Sequence, residues 1–308
     1  MRVLFVSSGN KGISPIIRNQ GESLVKEGVS VDYFGIVGKG LLGYLSNVPK
    51  LRKKYKLGKY DIVHAHYSLT AFIASIAMAS PLVVSLMGSD VKKGMLYRLL
   101  IKIFAFFFDW KNIIVKSEDM KKTLNIKRTM VIPNGVDMTR FYEMNQSDCR
   151  RKLGWSNSKK HILFPANISR PEKNFELLRQ ASSLLTDLNC EIHWFNNIPN
   201  NETPFWYNAA DVVVMTSLWE GSPNAIKEAM ACNRPIVSTD VGDVKWMIGN
   251  LDGCFLSEYT DYDLVNKIKS SFLLSCRTNG RDRIIDLGLS NDLIAKRLMG
   301  IYEMIIGV

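Results

Sequence analysis

The sequence predicts two α/β domains, each built on a parallel sheet, and three observations carry that prediction. The chain has 308 residues, and at about 100–200 residues per domain this length suits two domains or one large one. Its apolar runs are short, rich in β-branched residues and separated by stretches of helical period, which is how strands joined by crossover helices read. The pattern also starts twice, with a polar stretch between Pro133-Asn134-Gly135 and Ser158.

Strand Val3–Ser7 is expected to lead into the loop Ser8-Gly9-Asn10-Lys11-Gly12, then a helix over 16–27 and a strand Val29–Tyr33, a Rossmann-like opening. Further strands are expected at Ile62–Ala65, Leu82–Leu86, Asn112–Val115 and Met130–Ile132. After a linker near 140–157 the order is strand His161–Pro165, helix Phe175–Leu185, strands Glu191–Phe195 and Val212–Met215, helix Pro223–Ala231, and strand Pro235–Ser238. A terminal helix is expected over Asp292–Ile306. The domains are therefore read as 1–150 and 151–290, with a C-terminal helix in 291–308 that packs back on the first domain.

Hydrophobic residues at 46% and charged residues at 22% exclude disorder, collagen and coiled coil. Cys149, Cys190, Cys232, Cys254 and Cys276 are odd in number and form no C-x-x-C pair. That argues against a disulfide framework and a thiolate zinc site, and suits a reducing compartment. The start, MRVLFVSSGN, has one arginine and then only four apolar residues, too few for a signal-peptide core, so a cytoplasmic location is expected. Residues 62–89 hold no charged side chain, a length that suggests a membrane span. His64, His66 and Pro81 interrupt it, and its ends read as strands, so a buried strand–helix–strand unit is expected instead.

The net charge of +11 is lopsided: residues 1–150 carry 23 Lys+Arg and 11 Asp+Glu, residues 151–308 carry 17 and 18. Such asymmetry points the first half at something anionic, nucleic acid or a phospholipid surface. Leu41–Lys59 and Val91–Trp110 interleave basic and apolar residues. Both read as helices lying in an anionic bilayer surface, at about 1 kcal/mol per basic residue. The alternative is core helices with solvated charged faces. No helix-turn-helix, RRM or zinc-finger pattern is present, so no nucleic-acid partner is expected.

The segment Thr216-Ser-Leu-Trp-Glu220-Gly-Ser-Pro-Asn-Ala-Ile-Lys-Glu228 follows an apolar strand and opens a helix. Ser222 suits the N-cap and Pro223 the first helical position. The backbone N–H groups of Gly221, Ser222 and Asn224 would then form a phosphate site at the helix start. Glu220 lies outside this mouth and Glu228 about a turn and a half inside it. Alternatively, Glu220 complements the helix dipole and Glu228 is a solvated helix residue.

This stretch resembles the Glu-x7-Glu motif of the retaining GT-B glycosyltransferases of family 4 (glycosyl transferases group 1). Further segments resemble that family in the same order: Asp61-Ile-Val-His64-Ala-His66, Ser85-Leu-Met-Gly88-Ser-Asp90, Val131-Ile-Pro-Asn-Gly-Val-Asp137 with Phe141, Arg170-Pro-Glu-Lys173-Asn, Ala210-Asp211, and Pro235-Ile-Val-Ser-Thr-Asp-Val-Gly242. Together they cover roughly residues 1–245. The resemblance implies two Rossmann-like domains facing across a cleft and transfer of a sugar from a nucleotide-sugar. It implies that Glu228 bonds the ribose and that Glu220 contacts the sugar ring and supports positive character at the anomeric carbon. Arg170 and Lys173 would clamp the diphosphate, with Gly221, Ser222, Pro223 and Asn224 at the helix mouth sharing that task. His66 would touch the donor sugar, and the loop to Gly12 would let backbone approach donor phosphate or acceptor.

The Asp-x-Asp metal site of the other glycosyltransferase fold is not recognised, so neither a metal nor a cofactor is expected, the nucleotide-sugar being a substrate. Two departures from the family pattern stand out: Arg170 sits closer to Lys173 than the usual G-R-L arginine, and Met87 replaces the histidine of H-G-x-D.

Strand alternation puts His64 and His66 on one face. His66 lies nearer the strand's C-terminal end, where sites form in open α/β sheets, and is read as functional, with His64 in the core. Asp90 is read as acceptor contact or helix cap, Asp211 as a structural carboxylate. The reading is a retaining, metal-independent glycosyltransferase, with a UDP-sugar ahead of a GDP-sugar, acting on a glycan or lipid-linked acceptor at the inner membrane face in cell-surface polysaccharide synthesis. A nucleotide-sugar epimerase on the same fold and a non-catalytic sugar-nucleotide-binding subunit are the rivals.

Overall fold

A computed structural model describes residues 1–274 and 277–307; Cys276 lies outside the described residues. The chain divides into two compact units, Met1–Gly135 with Asn291–Val308, and Val136–Ser290.

The first unit is a six-stranded sheet of β1 (Arg2–Ser8), β2 (Ser30–Ile36), β3 (Ile62–His66), β4 (Leu82–Ser85), β5 (Asn112–Val115) and β6 (Thr129–Val131), in the order β2-β1-β3-β4-β5-β6. Every pair is parallel. Val3 to Ser7 of β1 and all of β3 and β4 are buried, because helices cover both faces of a parallel sheet; such strands read as unbroken apolar runs. The charge-free stretch resolves into β3, helix Ser68–Ile76 and β4. No described helix is long and apolar enough to cross a membrane.

The terminal helix Asn291–Ile306 belongs to this unit. Its Ile294, Leu298, Ile301 and Tyr302 enter one core with Val3, Phe5 and Ile62. A buried side chain of that size contributes about 1.5–3 kcal/mol, so the helix is an integral part of the first unit.

The second unit holds β7 (Lys160–Phe164), β8 (Cys190–Trp194), β9 (Val212–Met215), β10 (Ile236–Thr239) and β11 (Cys254–Ser257), all parallel, in the order β11-β10-β9-β7-β8. The division falls at Gly135 instead of residue 150, because residues 136–153 are tied to the second core. Phe141 packs edge-on against Tyr207, and Arg281 donates to the carbonyls of Phe141 (2.8 Å) and Met138 (2.9 Å). At the crossing, a Cβ on Gly135 would stand 2.7 Å from Asn291 Cα, which explains the glycine of Pro133-Asn134-Gly135.

Four helices absent from the sequence reading, Thr203–Ala209, Val244–Ile248, Asp261–Phe272 and Gly280–Asp286, complete this unit together with β11. The helix expected to reach Leu185 ends at Ser182. Cys149, Cys190, Cys232 and Cys254 are free thiols.

Charge follows the units: the first carries 23 Lys+Arg against 10 Asp+Glu, the second 17 against 19. The basic stretch 41–59 forms helices Gly40–Leu45 and Val48–Gly58, and 91–110 is largely helix Met95–Phe107. On the last of these, Leu96, Leu99, Leu100, Ile103 and Phe107 recur at helical spacing and face outward, Leu96 at 79% exposure and Phe107 at 74%. Leu42 is 82% exposed. Two of the basic residues look inward instead. Arg52 donates to the carbonyls of Ile76 (2.8 Å) and Ala77 (3.2 Å), closing the end of helix Ser68–Ile76, and Lys54 donates to Tyr33 O at 3.1 Å.

Candidate active site

The site is built on the loop that leaves the C-terminal end of β9. Thr216 Oγ1 donates to the carbonyls of Lys173 (3.1 Å) and Asn174 (2.8 Å), and Leu218 N–H donates to Glu172 O at 2.9 Å. These bonds clamp the short 3-10 turn Pro171–Lys173 against the loop. Asn174 ends that turn at φ +52°, a left-handed conformation that asparagine tolerates. Lys173 and Glu220 are thereby brought together as an ion pair, their side chains only 13% and 15% exposed. Glu220 also accepts from Ser217 Oγ at 2.9 Å, and Ser217 O is held by Thr239 Oγ1 (2.7 Å) and Tyr259 O–H (3.0 Å). Ends of β9 and β10 thus fix the pair from two sides.

Gly242 completes the support. Its φ is +63°, and a Cβ there would lie 2.5 Å from Gly221 O and 3.2 Å from Glu220 O. The glycine that closes the segment beginning at Pro235 is therefore needed where the chain passes against the Glu220 backbone.

The helix spans Asn224–Ala231, one residue later than expected. Pro223, at ψ 120°, is the N-cap, and no side chain caps the helix. The N-cap role expected of Ser222 is therefore corrected: its buried side chain bonds no N–H of the helix and sits beside the Asp243 carboxylate. The reason is that the extended backbone of Pro223 sets the helix entry one residue further on. The first N–H groups of the helix still lack intrahelical acceptors.

Glu228 is not a solvated helix residue. It is partly buried, its Oε2 accepts from Tyr207 O–H at 2.8 Å, and burial pushes its pKa up to about 7. Lys227 is fully buried beside it and reaches Ser222 O (3.3 Å) and Asn224 Oδ1 (3.4 Å). Burial pulls its ammonium down to about 8, against Asp243, Glu228 and Glu220, which favour its charge. The sequence reading missed Lys227, Tyr207 and the role of Gly242. The signal for Lys227 was phase, since it shares a face with buried Ile226 and Met230.

Arg170 is placed differently from Lys173. Its side chain is 55% exposed and turned onto Glu172, Nη2 to Oε1 at 2.5 Å, so of the expected cationic pair only Lys173 meets Glu220. The chain does contain one Asp-x-Asp, Asp261-Tyr262-Asp263. Its carboxylates serve a helix start: Asp263 Oδ2 accepts from Glu258 N at 2.9 Å and Asp261 Oδ1 from Tyr262 N at 2.8 Å.

In the first unit, Gly12 has φ +76° and open space around it. Gly9 meets the protein's own backbone, since a Cβ would stand 2.8 Å from Gly35 Cα. His64 is fully buried, with Nδ1 2.5 Å from Tyr302 Oη and Nε2 2.8 Å from Ser85 Oγ. Its hydrogen bonds are spent inside the core. His66 stacks on it at 4.3 Å, is 2% exposed, and leaves Nε2 buried without a partner among the described residues. Burial, aided by nearby Lys116, lowers its pKa to about 3. A neutral imidazole with an unspent nitrogen suits a ligand hydroxyl.

Asp90 accepts from the N–H groups of Ser68 (2.9 Å) and Met87 (2.6 Å), so it ties the start of helix Ser68–Ile76 to the loop that leaves β4. Asp211 pairs with Arg150 at 2.7 Å and accepts from His161 N at 2.6 Å, a structural carboxylate.

Residues 11–140 match the family described as Glycosyltransferase Family 4, and residues 168–271 match Glycosyl transferases group 1. The chain is 26% identical over 299 residues to the UDP-Gal:alpha-D-GlcNAc-diphosphoundecaprenol alpha-1,3-galactosyltransferase of Escherichia coli, covering 80% of this chain and 76% of that protein. It is 26% identical over 215 residues to the putative teichuronic acid biosynthesis glycosyltransferase TuaC of Bacillus subtilis, covering 61% of this chain and 55% of that one. Among solved structures, sucrose-phosphate synthase from Thermosynechococcus elongatus superposes with a TM-score of 0.79 at 18% identity over 100% of this chain and 99% of that one. Anabaena Alr3699/HepE, solved in complex with UDP-glucose, superposes at 0.73 and 17% identity over 100% of both chains. The two matched segments and the two parallel-sheet units agree: this chain belongs to the family 4, group 1 glycosyltransferases and has the GT-B fold.

Proposed function

We propose that the chain transfers a sugar from a nucleotide-sugar, a UDP-sugar ahead of a GDP-sugar, to a glycan or lipid-linked acceptor, with retention at the anomeric carbon and no metal at the reacting centre. The observation that carries this reading is the Lys173–Glu220 ion pair at the mouth of helix Asn224–Ala231. An incoming diphosphate offers Lys173 a doubly charged partner, and the helix N–H groups add to the pull. Lys173 then exchanges Glu220 for phosphate, which leaves Glu220 ionised toward the sugar as its bond to the nucleotide breaks. Arg170, already at the surface, swings from Glu172 to the same diphosphate. Glu228 accepts from the ribose hydroxyls. His66 supplies its spare nitrogen to a sugar hydroxyl. The E. coli relative's UDP-galactose and diphosphoundecaprenol support the choice of donor and acceptor.

Thermal stabilisation by UDP-, GDP- and ADP-sugars tests the donor: a ligand at 100 times its Kd adds about 2.7 kcal/mol to the folded state. Lys173→Ala is expected to weaken binding of UDP by about 10-fold or more while that of uridine changes little, since the lysine meets phosphate. Equal losses for both would remove Lys173 from the diphosphate site. EDTA is expected to leave the transfer rate unchanged. A nucleotide-sugar converted to its stereoisomer without acceptor would favour the epimerase, and binding with no turnover the subunit.

The acceptor side rests on the outward apolar stripe of helix Met95–Phe107 and the basic excess of the first unit. Together they suit an anionic lipid surface in peripheral contact, with the apolar stripe in the acyl boundary and lysines at the headgroups. Lys50, Lys53 and Lys56 are exposed and are the residues to change, whereas Lys54 is tied to Tyr33. The triple change to Gln is expected to reduce co-sedimentation with anionic vesicles by about 10-fold or more, at about 1 kcal/mol per residue, with donor binding intact. Wild-type protein that stays in the supernatant at low salt, whatever the lipid, would leave the lipid-linked acceptor without support.

A further inference from the structure

Away from the Glu220 loop, the neighbouring strands β7 and β8 bring three metal-ligating side chains to one point. In the parallel register His161 pairs with Glu191 and Leu163 with His193, so residues 32 apart in sequence share one face of the sheet. His161 Nδ1 lies 2.9 Å from His193 Nε2, Glu191 Oε2 lies 3.7 Å from the first and 3.8 Å from the second. A point about 2.0 Å from all three atoms exists in the plane of that triangle, which is the bond length zinc makes to imidazole nitrogen and carboxylate oxygen.

The surrounding contacts orient all three groups toward that point. His161 is fully buried, and its other nitrogen, Nε2, is 2.7 Å from Ser156 O. A carbonyl there takes the Nε2–H and leaves the Nδ1 lone pair facing inward, as in metal-bound histidines whose far nitrogen is held by a backbone carbonyl. Lys159 Nζ holds Glu191 Oε1 at 2.5 Å, which turns Oε2 toward the rings. Trp155 stacks on the His193 ring at 3.5 Å, 11° from parallel, and fixes its plane. Glu191 keeps 38% of its side chain exposed, so a cation has an entry path and room for a water as fourth ligand. The site lies on β8, the edge strand of its sheet, where a cross-strand ion would pin the edge to β7. Sequence spacing gives no hint of it, because the ligands come from two strands with no C-x-x-C or His-x3-His pattern.

We propose that His161, Glu191 and His193 form a zinc site that braces the edge of the second sheet, separate in function from sugar transfer. With metal bound, the hydrogen bond between the two rings gives way to two Zn–N bonds. The ring nitrogens part to the roughly 3.3 Å that tetrahedral bonds of about 2.0 Å require, which lifts the ion out of the ligand plane toward a water, and His193 carries its proton on the outer nitrogen.

The test uses the full chain, stripped with EDTA, dialysed, and titrated with zinc alone and with cobalt(II) as a spectroscopic stand-in. One zinc per chain, a rise in melting temperature, and a tetrahedral Co(II) absorption band with quenching of Trp155 fluorescence are expected. Glu191→Gln and His193→Gln, which replace one ligand each at the sheet edge, should each weaken zinc binding by roughly 100-fold or more and abolish the Co(II) band. Both variants should transfer sugar at the wild-type rate, since neither residue belongs to the Glu220 loop. Zinc stoichiometry and affinity unchanged in both variants, no binding at micromolar zinc, or an octahedral Co(II) spectrum would each overturn the site.

Discussion

Replacing Glu220 by glutamine is expected to lower turnover by about 100-fold or more while donor affinity is largely kept. The substitution keeps the shape and an oxygen to accept from Ser217, which bonds Glu220 at 2.9 Å. It removes the negative charge that, in this reading, faces the sugar as the leaving diphosphate departs. That interaction grows toward the transition state, so the loss belongs in kcat and not in donor binding. The charge also holds Lys173 in the free protein. Glu220→Gln therefore releases Lys173 for phosphate, and donor Kd is expected to stay level or improve. Steady-state kinetics beside donor titration separates the two effects. Wild-type turnover in the variant would sink the assignment.

Glu228→Gln is expected to act in opposite directions on stability and on binding. The native pKa of Glu228 is about 7 against 4.5 for the free side chain, with burial the dominant cause. The folded chain therefore binds a proton that the unfolded chain releases across that range. Stability held by neutral Glu228 is fully present below pH 4.5 and is lost as pH rises through 7. Glutamine removes that penalty, so the variant should be more stable than wild type at pH 8 by about 1–3 kcal/mol and equal to it near pH 4. It should also bind UDP about 10–100-fold more weakly at pH 8, from loss of charge-assisted bonds to the ribose. Wild-type affinity for UDP should fall as pH drops through 7 for the same reason. Melting curves and UDP titrations at several pH values check both; a variant less stable than wild type at pH 8 would contradict the buried, proton-binding Glu228.

The strands of both sheet centres were legible because a parallel strand buried on two faces must be an unbroken apolar run, as in Val3–Val6 and Val212–Met215. β11 was not, because a four-residue edge strand with two half-buried positions carries too little pattern. The domain boundary was misplaced by 15 residues, because the polar composition of 136–150 says linker while Phe141 and Arg281 decide that it docks. Helix Met95–Phe107 shows the limit from the other side: its periodicity announces an apolar stripe, and only the packing shows that part of the stripe faces out.

The sequence by itself determined the fold class, the order of the first ten strands along the chain, the helix mouth at 221–224, and the placing of Glu220 and Glu228 on one turn-and-helix unit, because these depend on local period and spacing. Tertiary structure alone decided which charges meet. Lys173 and Arg170 are near neighbours of the same sign, yet one is clamped onto Glu220 by Thr216 and Leu218 and the other turns onto Glu172. His64 and His66 share a face and a strand, yet Tyr302, from the far end of the chain, completes the bonding of His64 and leaves His66 with a nitrogen to spare. The physical reason is common to both: hydrogen-bond saturation and desolvation depend on groups distant in sequence, and local pattern carries no record of them.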